Sequence, residues 1–204
     1  YKNNTRRIAR LNMALFRKKN PFNMYDLTPS LLKLYRSRER ILGRYHVSEL
    51  WAINNGYIPA ERFFQLKNTS IDQWRGIWKH KQLQELLQEL GWEIEPKKEI
   101  KFEQITLVGK ADALKENEGL EIKTTNQRVK LNWTRPSHLY QAKVLATLFE
   151  KPIWRVVQPV VSGEHLALKV LAEVTRNDDW LKKEIDKLCL YHLKVRYHLE
   201  HESK

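Results

Sequence analysis

The sequence predicts an α/β domain: a mixed central sheet of about five strands flanked by helices, with a helical region ahead of it. Three observations carry that prediction. Helix-length amphipathic stretches give way after Trp92 to short β-prone runs. One helix-length stretch, near 136–149, separates the first three of these runs from a later pair. A long amphipathic segment then closes the chain. Helices, three strands, a helix, two strands and a helix fit one sheet covered on its faces. The 204 residues, 42% hydrophobic and including seven Trp, suffice for one domain with a real core.

The elements follow in order. Residues 5–19 and 30–42 read as two basic helices, divided at Asn20-Pro21 and Thr28-Pro29. Ser48 has the character of an N-cap for SELWAINN, which stops near Gly56, and Pro59 is placed to start a short helix, PAERFFQL. A longer helix is predicted from about Ile71 to Leu90. Ser70 and Gln73 have capping-box spacing, and Gly91 suits the residue just past the end. Its apolar residues are Trp74, Ile77, Trp78, Leu83, Leu86, Leu87 and Leu90. Strands are expected near 93–103, 105–114 and 119–124, with KENEG (115–119) turning the last two into a hairpin. Pro136 fits the first position of the next helix. Strands 153–161 and 165–174 turn at Ser162-Gly163. The last helix starts near Asn177 or Asp178 and runs to about Glu200, with a stripe of Leu181, Ile185, Leu188, His192, Val195 and Leu199. The organisation predicted is a basic helical segment over 1–45 and one folded domain over 46–204.

Charge narrows the partner. The chain carries a formal net charge of +13. Residues 1–44 alone hold twelve lysines and arginines against Asp26 and Glu39, a net +10. Such a surface attracts polyanions without reading sequence, although a merely solubilising face or a membrane surface is the alternative. Cys189 is the only cysteine, which excludes an intrachain disulfide and a cysteine-ligated zinc or iron–sulfur site. No apolar run reaches the length of a membrane span, and the opening residues do not read as a signal peptide. A cytoplasmic, reducing setting is the expectation.

The chemistry concentrates in GKADALKENEGLEIKTT, residues 109–125. Alternate residues of a strand share a face, so Glu121 and Lys123 point one way and Leu120 and Ile122 the other. A hairpin turning at 115–119 brings Asp112 opposite 121–123. Two carboxylates and an ammonium then converge, a set that suits Mg²⁺ or Mn²⁺ with phosphate and water. The plainer alternative is a salt-bridged hairpin. His80, mid-helix in GIWKH, shares its side with Gly76, Leu83 and Leu87, and is either a core histidine or a ligand. Gln141, in HLYQAKVLATLF, lies at the edge of an apolar face built by Leu139, Val144, Leu145 and Leu148, where a surface glutamine is the ordinary reading. His192, His198 and His201 lack ligand spacing and read as surface.

Taken in order, GIWKH, VGKADAL, LEIKTT and HLYQAKVLATLF resemble the motifs of the RecB-like branch of the PD-(D/E)xK nuclease superfamily, which also holds the CRISPR-associated adaptation nucleases. HVSELW followed by IPAERFF is similar to the branch's Ser-x-Leu start and Cys-Pro-x-x-Phe helix. The resemblance spans roughly residues 46–195. It implies a restriction-endonuclease-like core and a metal-dependent DNA nuclease. His80, Asp112, Glu121 and the carbonyl of Ile122 would hold one or two Mg²⁺ or Mn²⁺ ions. Lys123 would be the catalytic lysine, and Gln141 would position substrate or Lys123. Arg6, Arg7, Arg10, Lys130, Trp133 and Arg135 would grip the DNA, Trp133 being equally suited to the core. Aromatic and cationic side chains together suit single-stranded or frayed DNA. Exonuclease action on such ends is the expectation, which these side chains do not themselves decide. A junction-resolving or restriction-type endonuclease, or a binding module of the same fold without catalysis, are the alternatives. Two positions depart from the branch pattern. Ile58 stands where many relatives carry a cluster cysteine, and Leu145 stands in place of the tyrosine of Q-x-x-x-Y.

Overall fold

The structure, a computed structural model, describes residues 40–64, 71–124, 134–162 and 164–201. The basic helix expected at 5–19, residues 30–39 of the one expected at 30–42, and the residues Arg6, Arg7, Arg10, Lys130 and Trp133 lie outside the described residues. The expected helix 30–42 does not reach its stated end, because residues 40–43 lead through a turn at Gly43 into a strand.

That strand, β1 (Arg44–His46), pairs in parallel with β4 (Ile105–Lys110). Three residues give no readable alternation, so nothing local in the sequence announces this strand. Helix α1 (Val47–Asn54) begins directly afterwards with His46, not Ser48, at the N-cap, and no side chain caps it. The short helix expected from Pro59 is a single 3₁₀ turn, Ala60–Arg62. Helix α2 spans Ile71–Glu89. Its end follows the reading: Gly91 adopts a φ of +79°. Trp92 N donates to Leu87 O and Gly91 N to Gln88 O, the paired bonds of a Schellman cap. Of the apolar face expected for α2, Leu83 and Leu87 are buried, whereas Leu86 and Leu90 are exposed. Gln84 is buried in their stead. The side chains of Trp74, Ile77 and Trp78 lie outside the described residues.

The two long strands expected near 93–103 and 105–114 are each broken. β2 (Glu93–Ile94) and β3 (Lys97–Phe102) pair antiparallel with β5 (Ala113–Leu114) and β4 respectively. The breaks fall opposite each other, at Glu95-Pro96 and Ala111-Asp112, and bonds from Ala111 N to Pro96 O (3.0 Å) and Glu95 N to Asp112 O (3.3 Å) tie the corner. Pro96 offers no amide to a ladder and Glu95 has a φ of +56°, so the hairpin bends there. The bend divides the expected sheet in two: β1-β4-β3, and β2-β5-β6-β7-β8 with β6 (Glu118–Ile122), β7 (Ile153–Ser162) and β8 (His165–Thr175). The larger is the mixed five-stranded sheet. β6 runs antiparallel to β5 and parallel to β7, with α3 (Pro136–Leu148) as the crossover. Pro136 is at the first helical position, as its sequence suggests. Helix α4 (Asp178–His201) is capped by Asn177 Oδ1, which accepts from Trp180 N at 2.8 Å.

The main core lies among α1, α3, α4 and the sheet faces against them, and includes Leu50, Leu107, Leu145, Leu148, Trp154, Val156 and Leu188. Leu145 has no exposed surface there, which explains how an aliphatic side chain holds that position. Ile58 is likewise core. Close approach explains two glycines. A Cβ on Gly109 would sit 2.1 Å from Leu148 Cδ2 of α3, and one on Gly119 would sit 2.3 Å from the Trp154 ring. A smaller core on the other sheet face joins Leu83 and Leu87 of α2 to Ala113, Leu120, Ile122 and Val157. Of the last helix's expected stripe, Leu199 is exposed. His192 is not surface: it is buried, and its Nδ1 lies 2.9 Å from Tyr45 Oη.

Candidate active site

The site is built at the corner of the bent hairpin. Asp112 occupies the break between β4 and β5, where its side chain is freed from the ladder and can reach across to β6. Its Oδ2 accepts from the Ile122 amide at 2.6 Å, which locks the corner to the end of β6. Gln84, one turn beyond His80 on α2, donates to the Asp112 carbonyl at 3.0 Å. That bond brings His80 into register with Asp112: His80 Nε2 lies 3.1 Å from Asp112 Oδ1. Both side chains are about one-fifth exposed, so the pair opens onto solvent.

Glu121 faces the opposite way from Leu120 and Ile122, whose side chains enter the smaller core. It is 3% exposed. Lys123 bonds Glu121 Oε1, and its Nζ also donates to Gln141 Oε1 of α3 at 3.4 Å. The Lys123 amide donates to Val157 O at 2.8 Å, so the backbone that presents the lysine is fastened to β7. Five of the six residues singled out from the sequence for catalysis or metal binding, His80, Asp112, Glu121, Lys123 and Gln141, therefore meet in one place through side chains. Ile122 joins through its amide. Arg135 is exposed at the N-cap of α3.

The electrostatics are those of crowded anions under partial cover. Burial, then the charge of Asp112, pushes the Glu121 carboxyl up to about 7, against the pull of Lys123 and His80. Burial works against a charged His80, but the hydrogen bond and charge of Asp112, with Glu121 and Glu95 behind, raise it above the ordinary imidazole value. His138 was not singled out from the sequence. It lies one turn before Gln141 on the same side of α3, a spacing that could have found it. Burial, then the charges of Lys123 and Arg135, holds its imidazole down near about 4.

Among the described residues, no three His, Cys, Asp or Glu side chains close into a ready-made metal cluster. Asp112 is engaged by His80 and the Ile122 amide, and Glu121 Oε1 by Lys123. Glu121 Oε2 is different: it is shut from solvent and has no hydrogen-bond partner. A buried carboxyl oxygen without a partner demands a reason. One lone carboxylate oxygen beside a half-open carboxylate and an imidazole is a donor set that fits a hard divalent cation.

No family model and no curated protein matches the sequence. Solved structures do match the fold. The crystal structure of the alkaline exonuclease LHK-Exo from Laribacter hongkongensis aligns at a TM-score of 0.58 and 14% identity, over 86% of this chain and 96% of its own. LHK-Exo in complex with dAMP gives 0.58 at 15%, over 78% and 91%. A phage-related exonuclease from Haemophilus somnus gives 0.58 at 7%, over 84% and 99%. At these identities the likeness establishes the fold and leaves the chemistry to the residues described above.

Proposed function

We propose that this chain is a metal-dependent DNA nuclease of the RecB-like branch, acting as an exonuclease on single-stranded or frayed ends. The observation that carries the reading is Glu121: a carboxylate buried at 3% exposure, one oxygen without a donor, set between Lys123 and Asp112. Glu184, the other glutamate buried among the described residues, has donors on both oxygens. The exonuclease neighbours, one of them a complex with dAMP, support the same direction.

Asp112, Glu121 and His80, with the Ile122 carbonyl, would hold Mg²⁺ or Mn²⁺. Such an ion neutralises phosphodiester charge and makes water acidic enough to serve as a nucleophile at neutral pH. The residues supply the rest. Lys123, steered by Glu121 and Gln141, presents an ammonium where negative charge develops on the phosphoryl oxygens. Gln141 restrains that ammonium from the α3 side, which favours one geometry over the many a lysine can adopt. Arg135, exposed at the mouth, is positioned to attract the phosphate backbone.

The test is digestion of end-labelled and circular DNA, single- and double-stranded, with Mg²⁺, Mn²⁺ or chelator. Loss of mononucleotides from linear substrates alone supports the exonuclease reading. Cutting of circles would favour an endonuclease. Binding without any cleavage by the wild type, under conditions where Asp112→Ala behaves identically, would leave only a binding module.

A further inference from the structure

The strand that leads into Lys123 stops at Ile122, whereas β7 beside it and β8 beyond continue. β6 pairs with β7 up to Ile122 opposite Val157, and the Lys123 amide closes on Val157 O. β7 and β8 go on pairing from Gln158–Lys169 to Ser162–His165, five further pairs, with no third strand beside them among the described residues. At about 3.3 Å per residue this two-stranded ribbon projects roughly 16 Å past the catalytic end of the sheet.

Register settles which face of the ribbon continues the site. Residues opposite one another on neighbouring strands share a face. Glu121 lies opposite Val156, a main-core residue, and Ile122 opposite Val157, which joins Ile122 in the smaller core. The next residue along, Gln158, therefore shares the face of Glu121 and Lys123. Lys169 pairs with Gln158 and shares it too. Lys123, Gln158 and Lys169 form a row across three strands, with Lys169 about 10 Å from Lys123 at the usual strand spacing. The opposite face is apolar: Pro159 pairs with Leu168, which packs on the smaller core, and Val161 pairs with Leu166.

We propose that the nucleic-acid strand leaves Lys123 along the face of the β7–β8 ribbon that carries Gln158 and Lys169, with these two side chains contacting its backbone. The next pair on that face is Val160 and Ala167. The inference rests on the nuclease reading for its substrate, and adds the direction in which that substrate runs. Three features favour a polyanion here. The row is continuous with the catalytic lysine. It ends in an exposed cation. Arg135, exposed and acting together with Lys123 on His138, adds a cation near the start of the row. Gln158 and Lys169 already interact within the protein. A lysine ammonium has three donors, so a phosphate contact does not require it to be idle.

The test is equilibrium binding of a fluorescent single-stranded oligonucleotide in chelator, where nothing is cut, over a series of salt concentrations. Lys169→Ala should bind about 3–10-fold more weakly, and the slope of log affinity against log salt should flatten by about 0.7, one phosphate contact on a single strand. Gln158→Ala should weaken binding while leaving that slope unchanged. Lys194→Ala, an exposed lysine on α4, should match wild type. A Lys169→Ala protein with wild-type affinity and slope overturns the proposal, and so does an equal loss in Lys194→Ala, which would mean that only total charge matters. Cleavage separates the two claims. If the ribbon dependence holds but wild type cuts nothing with Mg²⁺ or Mn²⁺, the nuclease reading fails and the track stands. If wild type cuts and Lys169→Ala binds normally, the reverse is true.

Discussion

Two glutamates of this molecule are buried almost equally and treated in opposite ways. Glu184, on α4, is 5% exposed, and its carboxylate is fully occupied. Tyr140 Oη donates to Oε2 at 2.5 Å, Asn54 Nδ2 to the same oxygen at 2.8 Å, and Lys187 Nζ to Oε1 at 2.6 Å. Burial raises its pKa, yet the three donors together outweigh burial and hold it below the usual carboxylate value. Glu121 has one donor for two oxygens, and burial with Asp112 pushes it up. Glu184 ties α1, α3 and α4 together and is at rest. Glu121 is as little exposed but left unfinished. A buried carboxylate that lacks donors costs stability, which marks Glu121 rather than Glu184 as the candidate for the proposed chemistry.

The same substitution at both positions divides the two roles. Glu121→Gln should lower nuclease turnover by roughly 10²–10³-fold, because it removes charge where phosphate chemistry needs it. Its stability should stay within about 1 kcal/mol of wild type, since the change also relieves a poorly satisfied charge. Glu184→Gln should do the converse. An amide cannot accept from three donors, so unfolding in urea should come about 1–3 kcal/mol sooner, with activity per folded molecule retained. Large destabilisation in Glu121→Gln, with cleavage intact, would reverse the comparison.

Tyr140→Phe sharpens the resting side. It deletes one donor to an ionised, buried acceptor while Asn54 and Lys187 remain. A loss of about 1–2 kcal/mol in chemical denaturation is expected, with little change in cleavage although Tyr140 adjoins Gln141 in sequence. A wild-type denaturation midpoint would mean that the hydroxyl contributes nothing to the clamp.

Much of this arrangement was legible in the sequence because it follows local rules. Gly91 ends α2, Pro136 begins α3 and Asn177 caps α4 for reasons confined to a turn of chain. The meeting of Asp112, Glu121 and Lys123 was legible because the hairpin brings 112 opposite 121–123, whereas periodicity left His80 open and only the family resemblance joined it to them. What escaped needed contacts distant in sequence. β1 is three residues long and exists through its pairing with β4. The hairpin's corner depends on Glu95-Pro96 and Ala111-Asp112 yielding together, and neither break is decisive alone. Glu184 looks like half of an exposed pair with Lys187, although its place between Leu181 and Leu188 on one face was a signal of burial. His192 sits in the apolar stripe and was still read as surface. Its partner, Tyr45, is 147 positions away.

The smallest effect is the pH dependence of the clamp, and its sign follows from linkage. Glu184 has a lowered pKa in the folded protein, so below the ordinary value of 4.5 the unfolded chain binds the proton more readily. Its contribution is complete above about that pH and is lost as pH falls through the folded value. Urea midpoints measured from pH 7 down to pH 3 should therefore drop more steeply in wild type than in Glu184→Gln, with the two curves converging at the acid end. The two proteins differ in ionisable groups only at this position, so the difference between the curves reports on it. Parallel curves across the acid range would mean that the three donors do not favour the ionised form. The contrast with Glu121 would then rest on geometry alone.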